Sequence, residues 1–266
     1  MIEYVAASTP ENGRWTVAAG WAQGRGAWGG LVIAALLRSA ETLIAEPTQQ
    51  LRAVTGQFLG PIPVGTIDVP AQVLRVGSAT TGVRVDAVDE AGTVLATLTG
   101  VWGVDRAPDI DPDYAMWGAL TCPEADSWES VPVVGIGPPI GPEFGDRLTF
   151  HPISGYPGQG VASTLGWVGL PDAGADDHFD AASLVGLVDA WWPGAIAIAG
   201  VGHPMGTISF SAHVVCDPSS ILGAEPLLHE GFVTRANSGF SSEVRRLWSA
   251  DGQLLIDSIQ SVAIIR

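Results

Sequence analysis

Three polar residues in the second half of this 266-residue chain sit where local physical chemistry does not ask for them. Asp189 stands near the end of an apolar helical run, beside Val185, Val188, Trp191 and Trp192. The helix macrodipole disfavours a negative charge at that end. A carboxylate desolvated there has its pKa raised. Gln260 lies in the run 253–265, where Leu254, Ile256, Ser258, Gln260, Val262 and Ile264 share one face. Burying an amide on so apolar a face costs roughly a few kcal/mol unless it is hydrogen-bonded. Thr207 opens the strand-like stretch Thr-Ile-Ser-Phe-Ser-Ala-His-Val. A carboxylate of raised pKa can accept a proton, and an amide and a hydroxyl can fix the direction of the donor. Each residue also has an ordinary reading: a solvent-facing carboxylate, an edge-of-core amide bonded to backbone, and a threonine in the strand that suits it.

Other chemistries lack their residues. The five histidines show no metal-ligand spacing with Cys, Asp or Glu. No Gly-x-Ser-x-Gly elbow supports a Ser–His–Asp triad. Gly24-Arg-Gly26-Ala-Trp-Gly29 fits the loose Gly-x-Gly-x-x-Gly spelling but follows no βαβ unit. Cys122 and Cys216 are isolated and fit neither a zinc pattern nor a disulfide scaffold. Neither a metal nor an organic cofactor is expected.

Hydrophobic residues make up 47% of the chain and charged residues 15%, which favours a well-buried core over disorder. Twelve basic residues, all Arg, face 28 acidic ones, giving a net charge of −16. Phosphate recognition needs clustered Lys and Arg, so nucleic acid and anionic membrane are poor partners. The start Met1-Ile-Glu-Tyr-Val lacks the pattern of a signal peptide. The most apolar stretch, Ala181 to Val201, is interrupted by Asp189 and Pro193, short of a membrane span. The expectation is a soluble cytoplasmic protein.

The elements that must hold these residues occur twice. Residues 31–46 are rich in Ala and Leu and read as a helix stopped by Pro47. Strand-like runs follow at about 51–59, 65–76, 80–88 and 93–104. Residues 105–146 are dense in Pro, Asp, Glu and Gly and read as a linker or surface excursion. Beyond them come strands near 147–153 and 161–169, a second helix over 181–192 closed by Pro193, and strands near 206–215, 225–236, 240–249 and 253–265. Two stretches match without a gap at an offset of 160: Arg75 with Arg235, Ser78 with Ser238, Gly92 with Gly252, Leu95 with Leu255. One helix followed by an antiparallel meander, twice, is α+β, because the connections are too short for crossover helices. The expected units are an N-terminal one over 1–105, a linker over 106–146 and a C-terminal one over 147–266. Where the second copy has Gln260, the first has Gly100.

These residues resemble the double-hotdog acyl-CoA thioesterases of the type II or medium-chain class. The resemblance rests on Leu187-Val-Asp189-Ala-Trp-Trp-Pro, on Gly206-Thr207-Ile-Ser-Phe, on Leu254-Leu-Ile-Asp-Ser-Ile-Gln260-Ser-Val-Ala-Ile-Ile-Arg266, and on Gly29-Gly30 before the first helix. It spans nearly the whole chain outside 105–146. It implies two tandem repeats, each a curved antiparallel sheet wrapped around a long helix. It implies that Asp189, Gln260 and Thr207 hold and activate a water for hydrolysis of fatty acyl-CoA to free fatty acid and CoA. Backbone N–H groups near Gly29, Gly30 and Leu31 would then bind substrate and stabilise an oxyanion. It further implies one active site per chain and the pairing of subunits into a homo-oligomer, a dimer of double hotdogs. There are departures. Leu31 stands where the family often has Gln. Phe58-Leu-Gly-Pro61 and Val214-Val-Cys-Asp-Pro218 stand where it often has Phe-x-Arg-Pro.

Two other readings remain. A noncatalytic acyl- or lipid-binding hotdog protein would bind without turnover. A hotdog enoyl-CoA hydratase or dehydratase would need a neighbouring Asp and His, for which Asp176-Asp-His178 is the nearest candidate.

Overall fold

The computed structural model describes residues 1–106 and 120–265. Most of the expected linker's first part, residues 107–119, and Arg266 at the end of the closing motif lie outside the described residues. The chain runs α1 (Ile2–Ala7), β1 (Arg14–Val17), β2 (Ala22–Gln23), β3 (Gly26–Ala27), α2 (Gly29–Glu41), β4 (Gln50–Phe58), β5 (Gly65–Asp68), β6 (Ala71–Val76), β7 (Thr80–Val88) and β8 (Val94–Gly103). It continues with β9 (Thr149–Ser154), β10 (Ser163–Gly169), α3 (Ala181–Leu187), α4 (Gly194–Ala199), β11 (Met205–Val214), β12 (Leu227–Asn237), β13 (Phe240–Trp248) and β14 (Leu254–Ile264).

Among the described residues, an antiparallel sheet of 12 strands takes the order β1-β5-β7-β8-β4-β11-β14-β13-β12-β10-β9, with β6 paired on β7, and β2 pairs β3 apart from it. The two halves join edge to edge where Ser209 to His213 of β11 pair with Gln57 to Ala53 of β4. That seam removes an edge from each half, edges that would otherwise expose unpaired backbone groups. Helix α2 packs on β6, β7 and β8, and α3 packs on β11 and β14. The fold is the double hotdog that the resemblance implies.

Helix α2 is apolar over most of its length, with Arg38, Ser39 and Glu41 confined to its last turn. Leu31, Val32, Ile33, Ala34, Ala35, Leu36, Leu37 and Ala40 are all buried, as befits a helix enclosed by sheet and partner helix. It meets α3 at Gly30 and Gly186, where a Cβ on Gly186 would lie 2.5 Å from the Gly30 carbonyl oxygen. Two glycines at the crossing therefore let the backbones touch.

Three element boundaries differ from the sequence expectation. The first helix spans 29–41 rather than 31–46. It closes at Thr42, whose hydroxyl donates to Ser39 O, so Pro47 is not what stops it. The run expected over 65–76 is two strands, because Val69 N–H turns to Gly13 O and Pro70 has no N–H to give the ladder. The second helix, expected over 181–192, ends at Leu187. Beyond it Asp189 N–H bonds to Gly186 O and Ala190 N–H to Leu187 O, a tighter turn. Pro193 then starts α4. Among the described residues no helix is long and apolar enough to cross a membrane.

Candidate functional site

The tight turn after α3 swings Asp189 out of the helix and against the start of α2. Trp28, the residue before α2, donates its indole N–H to Asp189 O at 2.9 Å. Its ring stacks on Phe144 at 4.6 Å, so the stretch before β9 backs the site. A Cβ on Gly29 would lie 2.5 Å from Asp189 Oδ2 and 3.4 Å from the Phe58 ring. Glycine at 29 is what lets the carboxylate reach the helix start.

That helix start is open. Trp28 provides no side-chain cap. Leu31 and Val32 N–H groups bond to Trp28 O, whereas those of Gly29 and Gly30 have no backbone acceptor among the described residues. Free N–H groups and the positive end of the helix dipole favour an anion there. Leu31 is placed differently from the two glycines. Its side chain is wholly buried in the core and its N–H is already taken. The Tyr4 hydroxyl donates to Gly30 O from the other side.

Oδ1 of Asp189 faces the second-half sheet. Thr207 Oγ1 is 3.4 Å from it and 3.1 Å from Gln260 Oε1. Its single hydrogen can serve one acceptor at a time. Gln260 is 2% exposed and pairs across the strands with Phe210 and Glu243. Thr207 owes its direction to a bulge. Phe210, Ala212 and Val214 point inward, which by strict alternation would aim Ile208 inward and Thr207 out. Between Thr207 and Ser209 the register against β14 shifts, Thr207 pairs with Val262, and Ile208 is left exposed. The structure thus brings Asp189, Thr207 and Gln260 together around one carboxylate.

Two residues that sequence reasoning missed complete the surroundings. Arg245 Nη1 lies 3.3 Å from Asp189 Oδ1 and 3.3 Å from Trp191 O. Its Nη2 lies 3.2 Å from Glu243 Oε2. Both side chains are fully buried. The signal that could have found them is the offset of 160, which sets Glu243 and Arg245 opposite Val83 and Val85. Burial raises the Asp189 pKa to about 6, and Glu243 adds to the rise. Arg245, and hydrogen bonds from Thr207 and Gln260, oppose it. Trp191 stacks on His229 at 5.3 Å, and burial with the nearby Arg245 charge keeps that imidazole neutral. In Asp176-Asp-His178, Asp177 Oδ2 accepts from Gly174 N–H within its own loop, and the His178 backbone pairs with Leu222 in the segment before β12.

Comparison with known proteins agrees with this architecture. A conserved hot dog-fold protein of unknown function from Alicyclobacillus acidocaldarius superposes with a TM-score of 0.85 at 23% identity, covering 99% of this chain and 98% of the other. An acyl-CoA thioesterase II from Mycobacterium marinum gives 0.73 at 17% identity, covering 99% and 98%. At such identities the likeness is one of fold. A search of curated proteins returns no match. Residues 17–103 match the family described as acyl-CoA thioesterase N-terminal domain, and residues 119–264 match the one described as acyl-CoA thioesterase C-terminal domain. With those two matches spanning both halves, the chain belongs to the acyl-CoA thioesterase family, whose general activity is thioester hydrolysis.

Proposed function

We propose that the chain hydrolyses fatty acyl-CoA to a free fatty acid and CoA, using a water activated by Asp189 with Thr207 and Gln260. The observation that carries this reading is a buried carboxylate held against an uncapped helix start. A pKa of about 6 leaves that carboxylate ionised at neutral pH, yet more basic than an ordinary aspartate. Oδ2 takes a proton as the water oxygen attacks the thioester carbonyl carbon. Gln260 and Thr207 fix the direction of that water. The carbonyl oxygen gathers negative charge, which the N–H groups of Gly29 and Gly30 stabilise by about 2.7–4 kcal/mol per donor in a dry site. The intermediate collapses with cleavage of the C–S bond, and the proton on Asp189 passes to the departing thiolate. Phe58 and Phe210, 6.0 Å apart across the β4–β11 seam, offer apolar surface beside Gly29 for the acyl chain.

The test is a hydrolysis screen across acyl-CoA chain lengths with the wild-type protein and Asp189→Ala. Wild type is expected to release free thiol. The variant is expected to keep its fold and lose about 10²–10⁴-fold in kcat/KM. Saturable acyl-CoA binding without turnover at any length would overturn the reading in favour of a binding protein.

A further inference from the structure

Arg245 is held from several sides. Besides Asp189, its guanidinium bonds Trp191 O and Glu243 Oε2. Glu243 is itself fixed, accepting from Gly194 N–H at 3.1 Å, Ala195 N–H at 3.4 Å and Ser241 Oγ at 3.0 Å. The cluster is one cation between two carboxylates, closed off from water. We infer that Arg245 is a positioning residue for Asp189, and that Glu243 balances its charge so that the carboxylate is aimed without being made a weak base. This inference rests on Asp189 being the base.

The physical argument is one of charge counting. A lone guanidinium beside a carboxylate stabilises the ionised form and drags its pKa down, by about 1–3 units in typical sites. An aspartate so treated would be fixed in direction but poor at taking a proton. With Glu243 on the other fork, Arg245 already has a counter-charge. Protonation of Asp189 then leaves a matched Arg–Glu pair, and ionised Asp189 leaves one uncompensated negative charge. The balance favours proton uptake. Accordingly Glu243 pushes the Asp189 pKa up while Arg245 pulls it down. The other titratable groups facing the cluster stay neutral. Tyr4 of α1 is kept protonated by burial. His229 of β12 is kept uncharged by burial and by Arg245. Thr207 of β11, Gln260 of β14 and the glycines of α2 bring no titrating group.

The experiment measures kcat/KM against pH with octanoyl-CoA and palmitoyl-CoA for wild type, Glu243→Gln, Arg245→Met, Arg245→Lys and Asp189→Asn, with folding checked by near-UV circular dichroism. Glu243→Gln should move the acid limb to lower pH by about one unit or more, and Arg245→Met should move it to higher pH by a similar amount. Arg245→Lys keeps the charge but loses the fork, so its limb should stay near the wild-type position while kcat falls. Should Arg245→Met not fold, the opposed pair becomes Glu243→Gln and Arg245→Lys, and a limb that shifts in the first but not the second still supports the inference. Limbs that stay fixed in every variant, or that move in one common direction, would overturn it while leaving the base intact. Full activity of Asp189→Asn would instead remove the base reading, and this inference with it.

Discussion

The hairpin β7–β8 and the hairpin β13–β14 are the same piece of backbone with opposite interiors. Thr80 pairs with Gly103 and Phe240 with Ala263; Val83 pairs with Gly100 and Glu243 with Gln260. Even the register shift falls at the same place, Ala87/Val88 in one and Leu247/Trp248 in the other. Yet the inward positions read Val83, Val85 and Gly100 in the first half and Glu243, Arg245 and Gln260 in the second, all of them buried. In the first half a Cβ at Gly100 would lie 2.5 Å from the Trp102 ring, so an aromatic fills the place that Gln260 occupies in the second. The helix starts differ in the same sense. Asp180 caps α3 by accepting from Ser183 N–H at 2.6 Å and also binds Arg38, whereas α2 begins uncapped at Trp28. The repeat fixes geometry only. On the proposed reading, which copy carries chemistry is decided by a handful of inward side chains and by one helix end left open.

The sharpest way to break that comparison is to carry one charge across it. Val83→Glu would bury a carboxylate opposite Gly100 with no arginine at the neighbouring Val85. Such an uncompensated charge should cost about 3–5 kcal/mol, read as a lowered midpoint in urea unfolding. The double variant Val83→Glu/Val85→Arg should recover part of the loss. A single variant as stable as wild type would mean that the first-half interior is wetter than its valines suggest.

Gly29→Ala comes next. Its methyl would press on Asp189 Oδ2, and displacement of the proposed base by about 1 Å should cost on the order of 10²-fold in kcat. Gly206→Ala is the control, since nothing lies within 4 Å of a Cβ there although Thr207 is its neighbour. Equal activity of the two variants would show that Asp189 has room to move.

The pH dependence of stability follows in size. The folded-state pKa of Asp189, about 6, lies above the usual aspartate value of 3.8. The folded protein therefore keeps that proton longer than the unfolded chain does. Asp189 should favour folding at low pH and lose on the order of 2–3 kcal/mol of that contribution as pH rises from about 4 to about 6, then stay level. Subtracting the curve for Asp189→Asn isolates the effect. A difference curve flat from pH 4 to 6 would show the carboxylate to be solvated.

Much of this was legible in the chain, for identifiable reasons. The meanders announce themselves through alternation and through glycine turns, and Gly92 and Gly252 adopt φ of 80° and 86°, which glycine tolerates. Asp189 and Gln260 stand out because each is polar amid apolar neighbours. Glu243 and Arg245 do not, since Ser-Ser-Glu-Val-Arg-Arg-Leu alternates in a way that also describes a strand with a wet face. Only the sheet pairing shows that face turned inward. The end of α3 is hidden too, because apart from Asp189 the stretch from Val188 to Trp192 is as apolar as the helix before it. What marks the end is a turn to i→i−3 bonds at Asp189 and Ala190, with Asp189 O taken by the Trp28 indole, a tertiary contact.

The sequence marks Thr207 by its place near the head of a strand but does not give its direction. Counting from Phe210 sends it to the outer face, and the bulge at Ile208 reverses that. The smallest expected effect tests this reversal. Thr207→Val keeps the shape and removes a hydroxyl worth about 0.5–1.5 kcal/mol, so kcat should fall roughly tenfold or less. Thr207→Ser keeps the hydroxyl and should retain most of the activity. Ser209 also sits in β11 and is partly buried, but it lies beyond the bulge and pairs with Ser261 and Gln57. Ser209→Ala should therefore leave kcat unchanged. If Ser209→Ala instead shows the larger loss, the strand's inward face has been assigned in the wrong register, and the second half would owe its polar site to Gln260 and the β13 pair without Thr207.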